Sequence, residues 1–231
     1  FVQALEENDG KDVFKAMKEA NGELRESIWK AVLTSSDTRY LKHLFEAGVA
    51  GYERGVLVQT APHVAVSLGH EECLSLLIET GGKDLVLKMD QDRGSCARTA
   101  VAHGQLECLR LLLLVGGKKL VAVDAGCILL AAMHGRTECL RLLIEFSGED
   151  LVKYVGHWMT SDGDLVLHCA VRARRRAREC LSLLIGAGGK ELIMLKNRDG
   201  RTGAHVAAEK GDKECLSLLI GAGGKELIML K

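Results

Sequence analysis

Glu214-Cys215-Leu216-Ser217-Leu218-Leu219-Ile220 is the stretch whose reading decides the fold. Cys215, Leu216, Leu219 and Ile220 fall at i, i+1, i+4 and i+5, one broad apolar face at helical period. The same Glu-Cys-Leu start, followed by a leucine run, opens at Glu72, Glu107, Glu138 and Glu179. Successive copies are separated by 35, 31, 41 and 35 residues. Self-similarity at a period of this size marks a stacked repeat array. Each unit of such an array buries its helices against its neighbours, and the array grows by addition of units.

Around the last copy the punctuation is complete. Asn197-Arg198-Asp199-Gly200 is a turn signal. Thr202 to Lys210 reads as a short helix whose alanines let neighbours pack closely, and Gly211 ends it. Asp212 is placed to cap the next helix, Lys213 to Ile220. Gly221-Ala222-Gly223-Gly224 is expected to stop that helix. The unit is therefore turn, short helix, glycine turn, longer helix, glycine stop.

These residues resemble the ankyrin repeat, whose signature is Asp-x-x-Gly-x-Thr-Pro-Leu-His-x-Ala-Ala-x-x-Gly-His, then a Leu-Leu helix and Gly-Ala. Gly200-Arg201-Thr202-Gly203-Ala204-His205-Val206-Ala207-Ala208 matches it well, as does Thr60-Ala61-Pro62-His63-Val64-Ala65 with Gly69-His70. His168-Cys169-Ala170-Val171 matches in part. The resemblance implies an all-α solenoid of stacked helix–turn–helix units with short hairpin-like loops. It also implies that the Thr-x-x-His imidazole and hydroxyl bond to backbone, so His63 and His205 are expected to be structural. The departures are specific. The histidine position carries Arg98 and Leu129 in two units, Pro62 is the only proline, and several units add Gly-Gly-Lys-x-Leu, as at Gly81, Gly116 and Gly188. The added Leu-Ile-Met-Leu stretch is expected to pack as a helical turn before the hairpin.

Fading copies extend the pattern toward the N-terminus. Arg39 to Gly48 aligns with the Cys-Leu helix, with Ser27 to Thr34 as its partner, and Asp12 to Ala20 pairs likewise with Val2 to Glu7. The reading is a single array with approximate units 1–23, 24–53, 54–88, 89–121, 122–159, 160–196 and 197–231. Glu179 to Lys196 and Glu214 to Lys231 are identical over eighteen residues, the mark of a recent duplication. No polar cap follows the last unit, so a longer protein or a covered C-terminal face is expected.

Composition narrows the function classes. Of 231 residues 47% are hydrophobic, and 31 basic side chains balance 31 acidic ones, so no global field draws the chain to nucleic acid or anionic membrane. The longest apolar run, Cys127 to Met133, is far short of the ~20 residues that span a bilayer. Cys73, Cys108, Cys139, Cys180 and Cys215 share one helical slot, where cysteine acts as a small hydrophobe. There is no Cys-x-x-Cys pair and no histidine pair at metal spacing on one helix, so neither a metal nor a cofactor is expected. Cysteines used this way suit an intracellular, reducing compartment, the cytoplasm first, with an organelle left open. The chain begins at Phe1, and no targeting signal is read from it.

No nucleophile elbow, phosphate loop or paired-carboxylate motif is present, so an enzyme is not expected. The function expected from the resemblance is protein–protein binding through the concave surface of hairpins and first helices. The candidate contacts are Tyr52, Arg93, His103, His134, Trp158, Met159, Arg198, Arg201, Glu209 and Lys210. Trp158 either stands at a hairpin tip as an interface anchor or folds back onto the stack. The run Arg172, Arg174, Arg175, Arg176, Arg178 replaces a glycine turn with two extra residues, a solvated or protein-facing patch. Three other readings stay open: an architectural subunit of a large assembly, the regulatory ankyrin region of a longer enzyme, and anion or nucleic-acid binding by the arginine run. The lack of interleaved aromatics and the zero net charge disfavour nucleic acid.

Overall fold

The computed structural model describes residues 31–35, 38–39, 41–42, 56–89, 94–173 and 175–229. The readings of 1–30 and 43–55, including Tyr52, lie outside the described residues, as do Arg93 and Arg174. The chain divides into two compact bodies, 1–116 and 117–231. The helices are α1 (Val56–Leu68), α2 (Glu71–Leu87), α3 (Cys96–His103), α4 (Leu106–Val123), α5 (Gly126–Met133), α6 (Thr137–Ser147), α7 (Leu151–Val155), α8 (Val166–Arg172), α9 (Ala177–Ile193), α10 (Gly203–Lys210) and α11 (Lys213–Met229). A 3-10 turn, Gly148–Asp150, joins α6 to α7. Among the described residues the only extended pairing is an isolated bridge between Met89 and Ser95.

In the first body α1 packs on α2 and on α3. In the second, the short helices α5, α8 and α10 lie side by side as one layer, and α6, α9 and α11 form the other. The Cys-Leu helices build the core as their period requires. Cys73, Cys108, Cys139, Cys180 and Cys215 are buried, together with Leu74, Leu109, Leu140 and Leu181. All eight cysteines are free and buried. Burial pushes the thiols up, Cys169 and Cys215 to about 12 and Cys108 and Cys180 to about 11, so they stay protonated and inert.

The glycine pairs interrupt the long helices, as expected from sequence, and a short second helical stretch follows each break. In α11 the helical angles break at Gly224, within the expected Gly221 to Gly224 stop, where the axis bends, and a further helical stretch runs to Met229. The same bend recurs at Gly82, Gly117 and Gly189, each with φ between 55° and 66° and ψ near −150° to −162°. That region is essentially restricted to glycine. One residue there turns the axis, and helical hydrogen bonding resumes beyond it. The glycine just before the bend has a different task. A Cβ at Gly81, Gly188 or Gly223 would stand 2.7 or 2.8 Å from the leucine four residues on. Those leucines, Leu85, Leu192 and Leu227, are buried. The Gly-Gly-Lys-x-Leu insert is thus a folded-back helical turn that seals the outer layer, as the sequence suggests for its apolar stretch.

A contrast isolates the backbone effect. Nothing lies within 4 Å of a Cβ at either Gly189 or Gly186, but only Gly189 has positive φ. Gly189→Ala is expected to cost about 1–3 kcal/mol. Gly186→Ala, inside helical α9, is expected to stabilise by about 0.5–1 kcal/mol. Urea unfolding of the two variants tests this, and equal effects would refute the bend as the cause.

Between repeats the chain makes hairpin-like connections at 156–165 and 194–202, and Met89 bridges Ser95 between α2 and α3. The connection from α4 to α5 is only Asp124 and Ala125, so the hairpin is missing there, which is why the interval from Glu107 to Glu138 is short. The loop that carries Trp158 begins only after α7. Tyr154 and Val155 belong to α7, with the Tyr154 hydroxyl 3.4 Å from Asp150 Oδ2, and the loop opens at Gly156.

Candidate functional site

The edge to consider in the second body is formed by the exposed ends of α5, α8 and α10 and the two hairpins that precede α8 and α10. Both hairpins are shaped by the same local chemistry. Thr160 N donates to Asp164 O at 2.9 Å, and Asp164 N donates to Thr160 Oγ1 at 3.1 Å. In the next repeat Asn197 N donates to Arg201 O at 2.8 Å, and Arg201 N donates to Asn197 Oδ1 at 2.9 Å. The loops are then joined to each other. Asn197 Nδ2 donates to Asp164 Oδ1 at 2.9 Å, and Arg198 N donates to Gly163 O at 3.2 Å.

Each hairpin is also strapped to its own short helix by an ion pair between residues eight apart. Arg172 Nε meets Asp164 Oδ2 at 2.7 Å. Arg201 Nη2 meets Glu209 Oε2 at 3.0 Å. The positions correspond, and the charges are reversed. Lys210 Nζ reaches back to Val171 O in the last turn of α8 at 2.8 Å, a cation at the negative end of a helix.

The histidines tie repeats together as well as turns to helices. Thr202 N and the Thr202 hydroxyl both donate to His205 Nδ1, at 3.1 and 2.8 Å, the local bond implied by the resemblance. His168 adds a second bond. Its Nδ1 accepts from Leu165 N at 3.3 Å, and its Nε2 donates to Arg201 O in the next repeat at 2.8 Å. His63 makes the corresponding bond to Gly94 O at 3.2 Å. His168 is fully buried, and burial holds its pKa below the usual imidazole value. The unfolded chain therefore binds a proton at a pH where the folded chain does not. Stability from this group is complete above about pH 6.5 and falls as the pH drops from there toward the depressed folded value. Thermal melts of the wild type and His168→Gln from pH 7.5 to pH 5 check this. The wild type is expected to lose stability more steeply than the variant, and parallel curves would show that His168 does not titrate on unfolding.

The arginine run is woven into the stack. Glycine holds the left-handed turn between short and long helix at Gly69, Gly104, Gly135 and Gly211, whereas Arg176 holds it here at φ 52°, as the sequence reading of a replaced glycine turn expects. Arg176 is the sole non-glycine residue at positive φ among those described. Its Nη1 donates to the buried Thr137 Oγ1 at 2.8 Å, and its Nε lies 3.8 Å from Glu179. Arg178 pairs with Glu214 at 3.7 Å, and Arg175 is exposed.

Placed on this frame, the sequence candidates separate. Arg198, whose Nη1 donates to Ser161 O, and Arg201, Glu209 and Lys210 all bond within the fold. His103 is exposed, its Nδ1 donating to Thr99 O at 3.0 Å, and His134 is exposed at the end of α5. Trp158 is half-buried, while Met159 is 44% exposed in the hairpin before α8. Sequence reasoning missed Met133, 41% exposed on the last turn of α5. The signal was there: Met133 stands where Arg172 and Glu209 stand in the next two repeats. Among the described residues no group of three or more His, Cys, Asp or Glu is placed to hold a metal ion. No described helix is long and apolar enough to cross a membrane.

Comparison with known proteins agrees with this geometry. Residues 99–191 match the family model of ankyrin repeats, in three copies. A crystal structure of an ankyrin repeat domain from Acinetobacter baumannii AYE superposes with TM-score 0.67 at 24% identity, covering 85% of this chain and 98% of that one. The ankyrin repeat protein EF0377 superposes with TM-score 0.64 at 21% identity, covering 83% and 95%. A search of curated proteins finds no match. The fold is an all-α ankyrin solenoid, and residues 99–191 are similar to ankyrin repeats. Ankyrin repeats are in general protein-interaction modules, and the fold is typically non-catalytic.

Proposed function

We propose that this protein binds a protein partner along the short-helix edge and hairpins of its second body, acting as a scaffold or adaptor. The observation that carries the reading is the pair of exposed methionines. Met133 ends α5, and Met159 precedes α8, the helix packed beside it. Met is adaptable and polarisable, suited to a recognition surface. Around it, His134 adds a polar contact, and the straps hold Arg172 and Glu209 in fixed positions. The same internal bonds weigh against the arginine run as an anion site, since Arg172, Arg176 and Arg178 already have acidic partners.

The test is site-directed photo-crosslinking with mass spectrometry, comparing a crosslinker at Met133 or Met159 with one at the exposed Leu114 on α4. The partner is expected to be captured from the methionine positions. Met133→Glu combined with Met159→Glu is expected to weaken binding at least about tenfold, ~1.4 kcal/mol, at an unchanged melting temperature. Capture from Leu114, with the methionine variants binding normally, would sink the reading.

A further inference from the structure

The sulfur atoms of this chain fall into two groups with opposite access to solvent. All eight cysteines are free and buried. Peroxides attack the thiolate, and thiols held protonated inside the stack are closed to them. A thioether needs no ionisation, so access alone decides its reactivity. Met133 on the last turn of α5 and Met159 in the hairpin before α8 are well exposed, whereas Met89 and Met194 are half-buried.

The register of the repeats shows that the fold does not need an apolar group at either exposed position. Met133 stands where the next two repeats carry Arg172 and Glu209. Thr160 and Asn197 hold matching places in their hairpins, so Met159 corresponds to the exposed Lys196. Both places accept a full charge in a neighbouring repeat. A polar group on either sulfur therefore changes the surface and leaves the stack intact.

We infer that Met133 and Met159 form an oxidation site, at which a peroxide converts the apolar part of the short-helix edge into a polar one without unfolding the chain. The consequence for binding rests on the edge proposed above, and the chemistry does not. A sulfur lone pair attacks one peroxide oxygen, so an S–O bond forms and the O–O bond breaks. Sulfur loses two electrons to the peroxide, whose second oxygen takes the proton from the first and leaves as water. Methionine sulfoxide reductase reverses the change, with a dithiol giving up two electrons and the oxygen leaving as water.

The test treats the full chain with hydrogen peroxide and maps the products by mass spectrometry. Sulfoxide is expected at Met133 and Met159 at least about fivefold faster than at Met89 and Met194. Met229, 79% exposed on the outer-layer helix α11, is expected to oxidise freely, and Met229→Leu isolates the edge pair. All eight cysteines are expected to stay alkylatable after unfolding, and the melting temperature to move by less than about 2 °C. A photo-crosslinker at exposed His134, beside Met133, reads the edge. Partner capture is expected to fall at least about fivefold on treatment and to return with methionine sulfoxide reductase and dithiothreitol. In Met133→Leu combined with Met159→Leu, capture is expected to be indifferent to peroxide, each sample being compared with its own untreated form. Cysteines oxidised first, sulfoxide no faster at the edge pair than at Met89 and Met194, or unfolding on treatment overturns the inference. So does unchanged capture once both sulfoxides have formed. No capture from the untreated chain fails the binding edge instead, and the sulfoxide map and melting temperature still decide the oxidation site.

Discussion

Asp164→Ala is expected to lower stability by about 2–3 kcal/mol, which shifts the melting temperature by about 5–10 °C. Asp164 is 6% exposed and serves three contacts: the strap to Arg172, the bond from Asn197 and the turn with Thr160. Alanine keeps the backbone bonds and removes the carboxylate. Arg172 is half-exposed and can turn to water, so the lost ion pair contributes little. The larger cost comes from Asn197, 7% exposed, whose amide N–H is left buried without an acceptor. Asp164→Asn separates the two effects. Its amide oxygen still accepts from Asn197, and only the charge is lost, so the cost is expected to stay below about 1 kcal/mol. Chemical denaturation of both variants decides the matter. If the asparagine variant loses as much as the alanine variant, the ion pair dominates and this account is wrong.

Gly135→Ala is expected to cost about 3 kcal/mol, against about 1 kcal/mol for Gly211→Ala. Both glycines hold the left-handed turn, Gly135 at φ 64° and Gly211 at φ 69°, so the backbone penalty is shared. What differs is the space. A Cβ at Gly211 meets nothing within 4 Å, whereas one at Gly135 would overlap the Arg175 carbonyl. The arginine-rich turn lies directly on the glycine turn of the preceding repeat, with Arg176 anchored on Thr137 two residues further on. Displacing that turn would carry the start of α9 with it. Equal losses for the two variants, measured by urea midpoints, would show that the close approach adds nothing.

Much of the architecture was readable because it rests on period and on single residues. The Cys-Leu face, the Gly211 and Asp212 boundary and the loss of a glycine turn at the arginine run all follow from local rules, and Cys215 N donates to Asp212 Oδ1 at 3.0 Å as expected of a cap. The Gly-Gly pairs marked the helix breaks correctly, but not the bend by which the following turn folds back. Here a single positive φ turns the axis while the next residues keep helical angles, and only Leu85 or Leu192 closing over the preceding glycine reveals why. The missing hairpin before α5 was present as a short interval, yet a length alone does not say which element is lost. At the candidate site, Arg201, Glu209, Arg198 and Lys210 looked like exposed polar side chains. Their engagement with each other and with the backbone depends on hairpin geometry that no linear spacing conveys. Met133 stood out only once its equivalents in neighbouring repeats were found to be charged.

The reversed straps, Asp164 to Arg172 and Arg201 to Glu209, carry a consequence for how such a surface changes over time. Where both positions are charged the strap needs opposite signs and is indifferent to which position holds which, and the preceding repeat, with Ala125 and Met133 there, folds without it. A repeat can therefore invert the electrical character of its contribution to the groove without a new folding cost. On the proposed binding edge, selection would act on the polarity of each repeat separately, while the histidine bonds between repeats hold the backbone constant.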